Sequence, residues 1–180
     1  MKKKKPAPDP GKADYQATAQ EKAAVGRHFD RMAIETPTPR LKNANGGKAG
    51  SIELDHPNKL VAQALLADAL GMTDIDFING LIAQLANVDS HDGEIDESKP
   101  NFLLSIVKGV KPKDQIEAML AAQMTIVHQA SLRFARQLPH TETIQQQNSA
   151  ERALNKLTRT FAMQLEALKR YRTGRRYYRK

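Results

Sequence analysis

The sequence predicts an all-α fold, and three observations carry that prediction. Two long stretches in the C-terminal half place apolar residues at alternating spacings of four and three. That is the period of a helix packed along one seam, not of a strand. No run alternates apolar and polar residues as a half-buried strand would. The apolar material is mostly Leu, Ala, Ile, Val and Met, with five Phe, four Tyr and no Trp in 180 residues. The expected architecture is a set of short N-terminal helices followed by a long antiparallel helical hairpin. A disordered N-terminus and a basic C-terminal tail flank them. The corresponding segments are 1–54, 55–110, 111–172 and 173–180.

Residues 1 to about 20 are rich in Lys, Pro, Ala and Asp and lack apolar periodicity, a composition expected to stay disordered. The four Lys at 2–5 have no apolar run behind them, so they do not read as a signal peptide. A short helix is expected over 20–35, with Val25, Phe29, Met32 and Ala33 on one side, stopped at Thr36-Pro37-Thr38-Pro39. Residues 40–51, with Asn45-Gly46-Gly47 and Gly50, read as a flexible linker. Gly46-Gly47-Lys48 lacks the glycine spacing and the following Ser/Thr of a phosphate-binding loop.

Folded structure is expected to begin near Asp55, where Asp55-His56-Pro57 resembles a helix start. The helix runs to Leu70, with Leu60, Val61, Ala64, Leu65 and Ala69 available for burial, and closes at Gly71. Thr73-Asp74-Ile75-Asp76 reads as a capping box in its Asp form, opening a helix to about Asn87. Ile75, Ile78, Leu81, Ile82 and Leu85 make its stripe. A third short helix spans Pro100 to about Val110, with Phe102, Leu103, Ile106 and Val107 for burial. This group is expected to pack near one end of the hairpin.

Between the second and third of these helices lies an acidic loop with Asp89, Asp92, Glu94, Asp96 and Glu97. Its centre resembles a calcium-binding loop. Aligned on Gly93, however, Val88 stands where the first carboxylate belongs and Lys99 where the bidentate Glu belongs. A solvated acidic turn is the better reading, and no metal is expected.

The first hairpin helix starts after Pro112, with Asp114 and Glu117 at the positive end of its dipole. Its stripe is Leu120, Met124, Val127, Ser131, Phe134 and Leu138, and Pro139 ends it. The second is expected from Asn148, with Glu151 completing a capping box, and Gln145-Gln146-Gln147 before it reads as either loop or an early helical turn. Its stripe is Leu154, Leu157, Phe161, Leu165 and Leu168 with Tyr171, and Gly174 is expected to stop it. Helices of about 25 residues would each run roughly 37 Å. Gln123, Asn155 and Gln164 lie near the seams, where amides either hydrogen-bond across and fix register or merely flank them. Two such stripes exceed what the short helices can cover, which suggests a homo-oligomer.

From about Arg40 to Gly174 the chain resembles a family of bacterial proteins, mostly alphaproteobacterial and often encoded near prophage or plasmid genes. Leu54-Asp55-His56-Pro57, Phe77-Ile78-Asn79-Gly80-Leu81, the run Pro112 to Met124, Phe134-Ala135-Arg136, Ser149 to Leu157 and Glu166 to Arg172 carry the resemblance. The resemblance brings no activity and no functional residue with it. After Gly174 this chain departs from the family's polar, valine-rich continuation.

The formal net charge of +8 is concentrated at one end. From Asn148 to Lys180 there are ten Lys/Arg against two Glu, and the remaining residues balance. Arg152, Lys156 and Arg159 fall at i, i+4 and i+7, opposite the apolar stripe. Lys169, Arg170, Arg172, Arg175, Arg176, Arg179 and Lys180 follow with Tyr177 and Tyr178, and no acid interrupts them. Cationic side chains release phosphate counterions and tyrosines stack on bases, so nucleic acid is the first partner expected. An acidic protein surface, or the chain's own acidic loop, is the second.

Catalysis has little support. Ser90-His91-Asp92 has triad residue types, but adjacent loop residues cannot take up triad geometry. The five His are scattered and Cys is absent, so no zinc site, disulfide or cofactor is expected. His128 beside Val127 reads as a rim histidine. No apolar run is long enough to span a bilayer. The reading is a non-enzymatic cytoplasmic helical oligomer that holds nucleic acid electrostatically. The alternative is an assembly adaptor of a phage or other mobile element that binds protein.

Overall fold

The computed structural model describes residues 15–35, 37–44, 52–88 and 96–177, with side chains to residue 174. The calcium-like loop centre and Ser90-His91-Asp92 lie outside the described residues. The chain divides into two compact units, 1–36 and 37–180.

The first unit contributes one helix, α1 (Ala19–Ile34). Thr18 caps it reciprocally. The Glu21 N–H donates to Thr18 Oγ1 at 3.3 Å, and the Thr18 N–H donates to Glu21 Oε2 at 2.7 Å. The Tyr15 hydroxyl, then Thr18, hold the Glu21 carboxyl below its ordinary value. The expected stripe forms, but it covers nothing: Val25, Phe29 and Met32 are all exposed and no α1 residue is buried.

The second unit is all-α apart from one two-stranded antiparallel ribbon, β1 (Arg40–Asn43) and β2 (Ile52–Asp55). This corrects the linker reading at 40–43 and the expected start at Asp55, while 45–51 lie outside the described residues. The residues do alternate once paired. Leu41 faces Leu54 and Asn43 faces Ile52 on the inner side, and Leu41 is buried in the core. On the outer side Lys42 Nζ lies 3.6 Å from Glu53 and 3.2 Å from Asp55. The Asn101 side chain meets the outer edge of β1, accepting from the Leu41 N–H at 2.8 Å and donating to the Leu41 carbonyl at 2.7 Å. Glu97 accepts the next outward N–H, that of Asn43, at 2.7 Å.

Helix α2 (Lys59–Leu70) begins at Asn58, whose Oδ1 accepts from the Val61 N–H at 3.1 Å, rather than at Asp55. Its buried line is Ala62, Leu66 and Leu70, not the expected one: Leu60, Val61 and Ala64 are exposed and Leu65 and Ala69 half-buried. It ends on Gly71 at φ 66 in a Schellman turn, with Met72 N donating to Ala67 O. A Cβ on Gly71 would collide with the Pro112 carbonyl oxygen. The turn after α2 therefore sits directly on the backbone that enters the long hairpin. Asp74 caps α3 (Ile75–Asn87), accepting from Phe77 N at 3.0 Å. Its Ile78, Leu81, Ile82 and Leu85 are buried as expected, whereas Ile75 is exposed. In α4 (Ser98–Val110) the inward residues are Leu103, Leu104 and Val107. Phe102 points outward, contrary to expectation. Asp96 accepts from both the Ser98 hydroxyl and its N–H, and these bonds lower its pKa.

The hairpin consists of α5 (Gln115–Gln137), one 3-10 turn (Leu138–His140) and α6 (Ile144–Tyr177). Asp114 caps α5, accepting from Glu117 N at 2.8 Å. Helix α6 starts four residues before Asn148. Thr143 Oγ1 accepts from Gln146 N at 3.2 Å, and Gln146 Oε1 accepts from Glu142 N, also at 3.2 Å. Nor does Gly174 stop it, because the helix continues through Arg175 and Arg176. Glycine in a helix costs only about 1 kcal/mol against Ala. At 34 residues α6 is about 50 Å long. Leu66, Leu70, Leu85, Leu103 and Val107 meet Ala118, Ala121 and Ala122 of α5 in one core.

Candidate nucleic-acid interface

The site is built on α6, which packs on α5 and the 3-10 turn, leaving its opposite side to solvent. Its inward positions are Ala150, Leu154, Leu157, Phe161, Gln164, Leu168 and Tyr171, all buried or half-buried. These keep the four-three spacing throughout, and that spacing selects Gln164, not Leu165. Gln164 is 7% exposed, whereas Leu165 is 51% exposed. The Gln164 amide has neither donor nor acceptor satisfied among the described residues. Gln123 and Asn155 are exposed. The amides therefore do not bridge the seam as expected. The facing side of α5 offers small residues, including Thr125 and Ser131, whose hydroxyls turn back to the Ala121 and Val127 carbonyls. His128 lies at the rim, its ring centroid 6.1 Å from that of Phe161.

The long stripes thus pack against each other within one chain. The expectation of self-association loses that argument and must rest on the apolar residues left exposed, among them Leu132, Met163 and Leu165.

Where α6 passes the start of α5, Arg172 staples three elements together. Its Nη2 lies 2.9 Å from Glu117 Oε2, and its Nε lies 3.1 Å from the same oxygen. Nη2 also donates to Val110 O at 2.8 Å and Lys111 O at 3.2 Å, two carbonyls at the end of α4. Helix C-termini leave such carbonyls without intrahelical partners, and a guanidinium satisfies them well. Glu117 is fully buried, and its Oε2 also accepts from Lys113 N at 3.0 Å. Beside this pair the Tyr171 hydroxyl donates to Asp114 Oδ2 at 3.1 Å. Arg172 is therefore set apart from the other cationic residues expected to meet nucleic acid: it is half-buried and engaged by Glu117 and the end of α4. Its guanidinium is occupied inside the fold.

Arg152, Lys156, Arg159, Lys169 and Arg170 are all exposed. None has an ion-pair partner among the described residues. By helical spacing Arg152, Lys156, Arg159, Met163 and Arg170 share the side away from α5, with Glu166 the one acid on that line. Arg175, Arg176 and Tyr177 continue the helix, though their side chains lie outside the described residues. So do Tyr178, Arg179 and Lys180 altogether.

Among the described residues no group of three His, Asp or Glu is placed to hold a metal ion. No described helix is long and apolar enough to cross a membrane. In comparison with known proteins, the chain matches no family model, no curated protein and no solved structure.

Proposed function

We propose that this is a non-enzymatic helical protein of the cytoplasm that binds nucleic acid through the outer face of α6 and the basic residues beyond it. One observation carries the reading. Five cationic side chains stand exposed and without ion-pair partners along a single rigid helix, while the one cation turned inward is the one that anchors that helix. A row of this kind neutralises successive phosphates and is tolerant of sequence. Met163, in the middle of the row and 72% exposed, offers a polarisable apolar contact for a base. Self-association belongs to the same proposal, through the exposed apolar residues of the hairpin.

Fluorescence anisotropy of a labelled oligonucleotide tests it. Affinity should fall steeply between about 50 and 200 mM salt. Changing Arg152, Lys156 and Arg159 together to Glu should flatten the logarithmic salt slope by about three. Binding that is insensitive to salt would overturn the proposal. A second reading, a protein-binding adaptor of a mobile element, is favoured by the bare apolar stripe of α1. Under that reading the triple variant leaves partner capture intact and Phe29→Ser abolishes it.

A further inference from the structure

At the tip of the hairpin, α5, the 3-10 turn and the first turns of α6 border an open cleft of about 520 Å³. One wall carries Arg133, Phe134, Arg136, Gln137 and His140, and the other Gln146, Ser149 and Ala150. Cations in the last turn of a helix ordinarily just offset its dipole. Here they border a concavity instead of a flat surface, and the facing wall is the positive end of the next helix. Arg136 and His140 have no ion-pair partner among the described residues. Phe134 is half-buried and offers part of its ring. Gln146 accepts from Glu142 N through Oε1, which leaves its Nε2 free to donate. The nearby acid, Glu142, is not among the residues lining the cleft.

The geometry points to a nucleotide-binding notch at the hairpin tip. Arg136 and His140 hold a phosphate, and Phe134, Gln146 and Ser149 receive the attached sugar and base of an unpaired strand. A volume of this size suits one nucleotide. Arginine gives planar, forked donors matched to phosphate, an aromatic face stacks on any base, and amide and hydroxyl groups meet base edges. Continuity favours nucleic acid over a phosphorylated peptide. Arg152 and Lys156 stand three and seven residues beyond Ser149 on the same helix, so a strand seated in the notch is led onto the exposed basic row. The inference rests on the proposed nucleic-acid reading but adds a specific seat, an end or a bulged residue, to an otherwise sequence-tolerant track.

The test uses the full chain and three probes: adenosine monophosphate, inorganic phosphate, and a labelled single-stranded oligonucleotide with a terminal phosphate. Arginine Nε–H and glutamine side-chain amide signals in 1H–15N spectra report the notch. The monophosphate should shift the signals of Arg136 and Gln146 and bind about tenfold more tightly than phosphate alone. Arg136→Gln should weaken it about tenfold, and Phe134→Leu, which keeps an apolar side chain at the site, about fivefold. Arg159→Glu should leave monophosphate binding unchanged while weakening the oligonucleotide. Circular dichroism melts confirm that each variant folds. If the oligonucleotide binds the basic row but Arg136→Gln costs no more than a distant Lys108→Gln, the notch is refuted and the α6 interface stands. If the monophosphate shifts the notch signals while no oligonucleotide binds even at low salt, the interface fails and the notch survives as a mononucleotide site. Tighter binding of a phosphotyrosine peptide than of the monophosphate would overturn the nucleotide assignment.

Discussion

Helix α5 is packed on two sides, and the two contacts are made of different material. Toward α2, α3 and α4 it presents Ala118, Ala121 and Ala122 to Leu66, Leu70, Leu85, Leu103 and Val107. Small residues there let large aliphatic side chains close the space without polar atoms. Toward α6 the contact is longer and less uniform, running from Ala150 to Tyr171 along one side of that helix. It includes an unsatisfied amide at Gln164 and ends on the Arg172–Glu117 ion pair. The first contact is closed by aliphatic groups alone. The second adds polar groups to its apolar stripe and leaves the outer side of α6 available.

The contrast predicts how each contact breaks. Leu66→Ala, in the aliphatic core, should cost about 3–5 kcal/mol in urea unfolding, and a smaller loss would mean the core is loosely packed. Arg172→Ala leaves Glu117 buried without its counter-ion and should cost about 3 kcal/mol. Arg172→Lys should recover part of this, since an ammonium cannot reproduce the fork. Amide protection should fall at the end of α4 as well as in α6, which distinguishes a three-way staple from a simple helix pair. Gln164→Leu should go the other way and stabilise by about 1 kcal/mol, because it removes a buried amide without partners. Thermal melts check the sign, and destabilisation would indicate a bound water or a partner at that amide. The smallest effect serves as a control outside both contacts. The folded Glu21 carboxyl titrates below its ordinary value of 4.5. Its contribution to the α1 cap is therefore present above that value and lost as pH falls through the lower folded one. Exchange of the Thr18 amide should accelerate in that window while the α5 amides stay protected.

Much of this contrast could be read in the residues themselves. The four-three spacing identified both long helices and the side each turns inward. At one position period and hydrophobicity disagree: the spacing leads to Gln164, and Leu165, the more apolar residue, lies one step off the inner line. Thr143 and Gln146 form a capping pair that competes in the sequence with Asn148 and Glu151. The ribbon was not legible. Four-residue strands with Lys, Asn, Glu and Asp at alternate positions show no preference of their own, and Leu41 has an inward side only once Leu54 is opposite it. Arg172 looked like one more base in a basic tail. Only the antiparallel arrangement, which brings the end of α6 beside Glu117, reveals its different role. The notch left one faint signal, Arg133 and Arg136 three residues apart just before Pro139.

Asn101 bears on a hazard that short ribbons carry. An unprotected strand margin recruits other chains and can seed indefinite stacking. Here one carboxamide imitates the peptide group of a missing neighbour and occupies both backbone positions of Leu41. Growth of the ribbon into an intermolecular stack is thereby blocked on the β1 side, by Asn101 at Leu41 and by Glu97 at the Asn43 N–H.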